Sequence, residues 1–195
     1  MILVKVIDSL KLYNKEELDQ INCILDKWGM RVKDYSKFTT NELIDQILEE
    51  NEEYLWTELS RISKLTTTIL KVHGQSHPEL NKVFKLFHIL KMEAELHLIK
   101  EETIFYPVVE EYLELKTKED LDKVINQIVE LESDHSNILD LLEKLKEVTN
   151  NYTIPDDGCP TYETSYNKLY DLDADLTHHI NLEKDELFSR LKELK

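Results

Sequence analysis

An all-α, up-down-up-down four-helix bundle is the fold this chain predicts, and three observations predict it. Only 3 glycines and 4 prolines punctuate 195 residues, so little of the chain has turn chemistry. Leucine, isoleucine, lysine, glutamate and aspartate dominate, the composition of long helices. Apolar residues recur at helical spacing over four long stretches joined by short breaks, which is the pattern of antiparallel neighbours.

Residues 1–40 stand apart as an N-terminal helical extension. A short helix is expected from Lys15 to Trp28, ended by Gly29, followed by an irregular segment to Thr40. The bundle is expected over 41–195. Its first helix runs from about 41 to 71, with Thr39 as N-cap and Glu42 completing a capping box. Leu48, Leu55, Leu59 and Ile62 form its apolar stripe. The run from His73 through Gly74 to His77 and Pro78 breaks it. Pro78 suits the first turn of the second helix, expected from about 78 to 114 with a kink at Pro107. The third helix runs from about 118 to 149 on a stripe of Val124, Ile128, Leu131, Ile138, Leu142 and Leu145. Asn150 to Pro160 reads as a loop. The fourth helix runs from about 161 to 193.

The formal net charge of −16 argues against nucleic acid or an anionic membrane surface as partner, since both require cationic surface. No stretch approaches the ~20 apolar residues needed to span a bilayer. The apolar run from Met1 to Ile7 is too short for a signal peptide and is interrupted by Lys5. The 2 cysteines, Cys23 and Cys159, form neither a disulfide framework nor a thiolate metal motif, so a cytoplasmic location is expected.

Polar residues that interrupt apolar stripes carry the chemistry, because a buried ionisable group is costly unless paired or bound to metal. Glu93–His97–Glu101 and Asp175–His179–Glu183 repeat one pattern, acid-x3-His-x3-Glu, in the second and fourth helices. Spacing of four places each set on one helix face. Phe105-Tyr106 and Leu187-Phe188 extend the echo at equal offsets from His97 and His179. His135 lies between Leu131 and Leu139 on the core face of the third helix, and Glu52 lies between Leu48 and Leu55 in the first. Six inward donors follow: Glu52, His97, Glu101, His135, His179 and Glu183. Six exceed one tetrahedral zinc, and imidazole with carboxylate suits iron, manganese or zinc, so a binuclear site with two bridging carboxylates is expected. Glu93, Asp134 and Asp175 are expected to accept the imidazole N–H groups that orient the ligands. His178 and Glu102 are expected to point outward, and His88 to pack at the core boundary among Phe84, Phe87 and Leu90. His73 and His77 flank a helix break, where turn roles are expected. The tyrosines are expected to pack. Cys159, between Gly158 and Pro160, reads as a loop thiol without an activating base.

The stretch from His97 through Glu101 and Glu102 to Phe105, Tyr106 and Pro107 resembles the second-helix motif of hemerythrin-like (HHE cation-binding) domains. His179 to Glu183 resembles their last-helix motif. The likeness is nearest to the "repair of iron centres" group, the di-iron iron–sulfur cluster repair proteins. Val72-His73-Gly74 with His77-Pro78-Glu79-Leu80 carries it, as do Asp134-His135 and the run of Thr149, Tyr152, Pro155 and Cys159 ahead of Leu176 and His179. It covers about residues 41–190. The resemblance implies two iron ions, oxo- or carboxylate-bridged, with His97, His135 and His179 as ligands and Glu101 and Glu183 as bridges. His73 matches an accessory histidine near the site. The implied activity is iron donation, or redox chemistry with NO or O2, in restoring damaged iron–sulfur proteins under nitrosative or oxidative stress.

Two departures qualify the likeness. Aligned on Leu43-Ile44-Asp45, the family's first-helix ligand histidine falls on Glu52, a harder anionic donor that would favour ferric iron, admit manganese and make the two positions unequal. Residues 1–40 lack the family's Cys-Cys-Gly-Gly motif. Two other readings stay open: a non-catalytic module that binds or senses O2, NO or iron, and a metal-free structural bundle. The sequence also leaves open whether residues 1–40 dock on the bundle or join two copies as a homodimer.

Overall fold

A computed structural model describes residues 35–48 and 53–195. The expected helix over 15–28 and Glu52 lie outside the described residues. The chain divides between Thr39 and Thr40. The unit from Thr40 onward is helical, without strands among the described residues. No described helix is long and apolar enough to cross a membrane.

Helix α1 spans Thr40–Ile47, starting beside the expected cap at Thr39, and buries Leu43, Ile44 and Ile47. Helix α2, Glu53–His73, buries Leu55, Leu59, Ile62 and Ile69, a spacing that confines them to one stripe. Gly74 follows the end of α2, where the backbone turns so tightly that a Cβ would stand 2.4 Å from the Leu70 carbonyl oxygen. Helix α3, Leu80–Lys100, continues the bundle and buries Leu80, Val83, Phe87, Leu90, Ala94, His97 and Leu98. Helix α4 covers Tyr106–Leu115, and α5 covers Lys118–Val148, where Thr117 caps the first turn by accepting from the Asp120 amide at 3.2 Å. Helix α6, Pro160–Leu182, is followed by the short α7, Ser189–Glu193. Helix α2 packs on α3 and α6, and α5 packs on α3 and less extensively on α6. The apolar core fills the space these four enclose.

The expected stripe of α5 is buried throughout, from Val124 to Leu145; Leu139, expected to flank His135 on the core face, is instead 38% exposed, and Ile138 continues the line from His135 to Leu142. The loop after α5 turns through Asn150, Asn151 and Tyr152, all with positive φ. It is tied down from within: the buried Tyr152 hydroxyl donates to Asp173 at 3.0 Å.

The second and fourth long helices are not continuous α-helix. A π-helical turn, Glu101–Phe105, separates α3 from α4, with the Tyr106 amide donating to the Glu101 carbonyl. A second, Glu183–Phe188, separates α6 from α7. Each starts at the glutamate one turn after a core histidine. The extra residue slips the register by one, so neighbouring Phe105 and Tyr106 are both buried, as are Leu187 and Phe188. The irregularity expected at Pro107, at the start of α4, is the π turn just before it; the second π turn forms without a proline. Helix α1 packs against the second π turn.

Candidate metal centre

His97 and Glu101 come from the end of α3 and its π turn, His135 from the middle of α5, and His179 and Glu183 from the end of α6 and its π turn. All five are buried, none more than 4% exposed. Their polar atoms converge. His97 Nε2 lies 3.1 Å from Glu101 Oε1 and 3.8 Å from Glu183 Oε2. His135 Nε2 lies 3.0 Å from Glu183 Oε2 and 3.2 Å from His97 Nε2. His179 Nε2 lies 3.5 Å from both Glu101 Oε2 and Glu183 Oε2. One ligand atom from each of His97, Glu101, His135 and Glu183 falls within 4.8 Å of the others.

These separations fit donors that share a cation. Two atoms ~2.1 Å from one ion stand about 3.0–3.4 Å apart at right or tetrahedral angles. They fit mutual hydrogen bonding poorly. Both oxygens of Glu101, Glu183 Oε2 and His179 Nε2 are buried without a correctly directed hydrogen bond.

Electrostatics point the same way. Burial opposes charge on His97, but Glu101 and Glu183 outweigh it and hold the imidazole above its ordinary 6.5. His179 is likewise penalised by burial, yet Glu183 and Glu101 raise it to about 9. Burial pushes the Glu101 carboxyl up, but the charge of His97 and the close approach of the His179 and His97 imidazoles hold it well below the usual range. Burial and the neighbouring Glu101 charge push Glu183 up. Two buried carboxylates face each other and draw in positive charge, as protons or as a metal ion.

The other buried acids among the described residues have fixed cations. Glu58 lies 2.9 Å from Lys168 Nζ and 3.3 Å from Arg61, Asp173 lies 3.1 Å from Lys146, and Asp120 lies 2.8 Å from Lys123. Glu101 and Glu183 have only histidines.

Of the expected residues, the structure brings together His97, Glu101, His135, His179 and Glu183. It does not supply the expected acceptors for the imidazoles. The Nδ1 atoms of His97, His135 and His179 have no hydrogen-bond partner among the described residues. Asp134 instead accepts from Lys100 Nζ at 2.6 Å, because a neighbour of His135 in sequence sits about 100° round the helix. Glu93 and Asp175 are half-buried one turn before the histidines. Glu102 is exposed, and His178 is half-buried outside the cluster. His88 is a boundary histidine whose Nδ1 donates to the Phe84 carbonyl at 2.8 Å and whose Nε2 accepts from Ser63 Oγ at 3.1 Å. His73 is far from the cluster: its Nε2 lies 3.1 Å from Cys159 Sγ, at the other end of α6. Cys159 and His179 are 20 residues apart on that helix, ~30 Å at 1.5 Å per residue.

Tyr106 is the residue the pattern missed. Its buried hydroxyl donates to Glu183 Oε1 at 3.3 Å. The echo carried a sign of it, since Tyr106 occupies the offset from His97 that Phe188 occupies from His179. Phe188 itself stacks on the His135 ring, with centroids 5.6 Å apart and planes at 6°.

A bundle with inward histidines and glutamates, each glutamate one turn after a histidine, defines a class. The chain belongs to the hemerythrin HHE cation-binding domain family, whose pattern matches residues 43–191. It is 29% identical over 158 residues to the iron–sulfur cluster repair protein YtfE of Escherichia coli O1:K1, covering 81% of this chain and 69% of that protein. The YtfE of Citrobacter koseri is 28% identical over the same shares, and that of Escherichia fergusonii 29%.

Proposed function

We propose that this protein is a cytoplasmic, non-haem di-iron protein of the iron–sulfur cluster repair type, acting in nitrosative or oxidative stress. The carrying observation is the contrast among the buried acids of the described residues: there only Glu101 and Glu183 lack a lysine or arginine, and their oxygens converge with three imidazole nitrogens. His97, Glu101, His135, His179 and Glu183 would hold the metal. Glu101 turns one oxygen to His97 and the other to His179, which supports a carboxylate spanning two metal positions. Iron there would supply one-electron redox chemistry with NO or O2, or be donated to damaged iron–sulfur proteins. Tyr106 holds Glu183 Oε1, leaving Oε2 as the atom presented to the cluster. Phe105, Phe188 and the apolar stripes exclude bulk water. In a metal-free bundle the buried carboxylates would be balanced by protons on His97 and His179 instead.

Elemental analysis of protein purified without oxygen, with an absorption spectrum after oxidation, tests the reading. Two irons per chain with ferric charge-transfer bands are expected. No metal after reconstitution with ferrous or manganous salts would overturn it. About one ion would mean that Glu52 leaves one position weakly held.

A further inference from the structure

The far end of the bundle holds a second cluster of reactive side chains. Cys159 precedes the first turn of α6, with an extended backbone (φ −75°, ψ 166°), and its side chain is partly accessible. His73, the last residue of α2, places Nε2 3.1 Å from its sulfur although the two are 86 residues apart in sequence. The close of α2 at Gly74 delivers the ring, and packing fixes it. Its centroid is 5.4 Å from that of Tyr162, edge to face. His77 packs on the same tyrosine at 5.5 Å.

The surrounding charges are engaged away from the sulfur. His77 lies 3.0 Å from Glu79 and 3.1 Å from Asp157. Tyr166 lies behind Tyr162, receiving its hydroxyl proton at 3.1 Å. The amides of Tyr162 and Thr161, in the first turn of α6, also face the sulfur. The hydrogen bond from His73, then these amides, lower the thiol to about 7, where a free cysteine would be largely protonated at neutral pH.

We propose that Cys159 and His73 form a second reactive site, a thiolate–imidazole pair that reduces small, neutral hydroperoxides. Accessibility and the paired base make the sulfur a nucleophile. The leaving group selects the substrate class. Cleavage of a peroxide O–O bond expels a hydroxide or alkoxide, a poor leaving group that needs a proton, and His73 is placed to give one. Glu79 and Asp157 nearby, and the chain's net charge of −16, disfavour anionic oxidants. The thiolate attacks the terminal oxygen of ROOH. An S–O bond forms as the O–O bond breaks, and two electrons pass from sulfur to the departing oxygen. That oxygen takes the proton His73 accepted from the thiol. The products are ROH and a sulfenic acid on Cys159, which keeps the hydroperoxide's own hydrogen. This site is independent of the metal cluster ~30 Å along α6.

The test treats the full chain with tert-butyl hydroperoxide, traps sulfenic acid with dimedone and locates it by peptide mass spectrometry, with Cys23 as internal reference. Label is expected on Cys159, reduced at least ~tenfold in His73→Gln when the proton donor is lost. The pH dependence of iodoacetamide alkylation at Cys159 in the unaltered protein is the second measurement, with a midpoint near 7 expected. A midpoint in the ordinary thiol range near 8.5, or Cys159 labelled by dimedone no faster than Cys23, would overturn the proposal. So would equal labelling in a folded His73→Gln variant.

Discussion

Removing the metal should destabilise this bundle far more than removing any surface interaction, and the structure sets the scale. Four converging atoms, Glu101 Oε1 and Oε2, Glu183 Oε2 and His179 Nε2, are buried without hydrogen bonds. At ~1 kcal/mol or more for each unsatisfied buried group, the uncompensated cluster costs at least ~4 kcal/mol. A ligand bound only to the native state at a thousandfold excess over its Kd stabilises by a similar ~4 kcal/mol. For a domain of this size, with Tm moving ~2–4 °C per kcal/mol, chelation should lower Tm by about 8–16 °C. The assay is thermal unfolding by circular dichroism, without oxygen, on protein loaded with ferrous or manganous ion, before and after chelator. The double variant Glu101→Gln with Glu183→Gln conserves volume and removes both anionic ligands, so its Tm should be unaffected by metal or chelator. A wild-type Tm that ignores both would refute the reasoning and leave the cluster a structural charge network.

The metal-free and metal-loaded proteins should respond to pH in opposite directions. His179 rises from 6.5 to about 9 on folding, so its stabilisation is complete below pH ~6.5 and lost as pH rises through about 9. The raised Glu183 adds to that loss, whereas the lowered Glu101 contributes stability above its ordinary 4.5 that disappears as pH falls. Metal-free protein should therefore be more stable near pH 6 than near pH 9, while metal affinity should rise with pH because the ligands must shed protons; urea unfolding at the two pH values checks both. Tyr106→Phe should cost ~1 kcal/mol of stability and weaken metal binding, read by chelator competition and by a shift in the charge-transfer bands. Unchanged affinity and bands would reduce Tyr106 to a packing residue.

Helical periodicity made the four long segments and their breaks legible, because a stripe repeating every three or four residues is a local property of the chain. The same geometry placed His97 with Glu101 and His179 with Glu183 on common faces. His135 was legible because it interrupts an otherwise apolar line. The π turns were not. Their register slip is visible as buried neighbours, Phe105 with Tyr106 and Leu187 with Phe188, but a pair of apolar residues in sequence has no fixed meaning until the core shows that both are inside. The expected orienting contacts are not seen among the described residues: the three imidazole Nδ1 atoms have no hydrogen-bond partner, and Asp134 turns to Lys100 because adjacent positions on a helix diverge by about 100°.

The elements and the residues each turns inward are local properties of the chain, because spacing along a helix fixes which side chains share a face. Which faces meet is a property of the folded core. It set Tyr106 against Glu183 across 77 residues and gave the loop thiol Cys159, which has no base near it in sequence, the imidazole of His73 across 86. Contacts between helices depend on packing order, crossing and register, and those are set by the core as a whole rather than by any local stretch of chain.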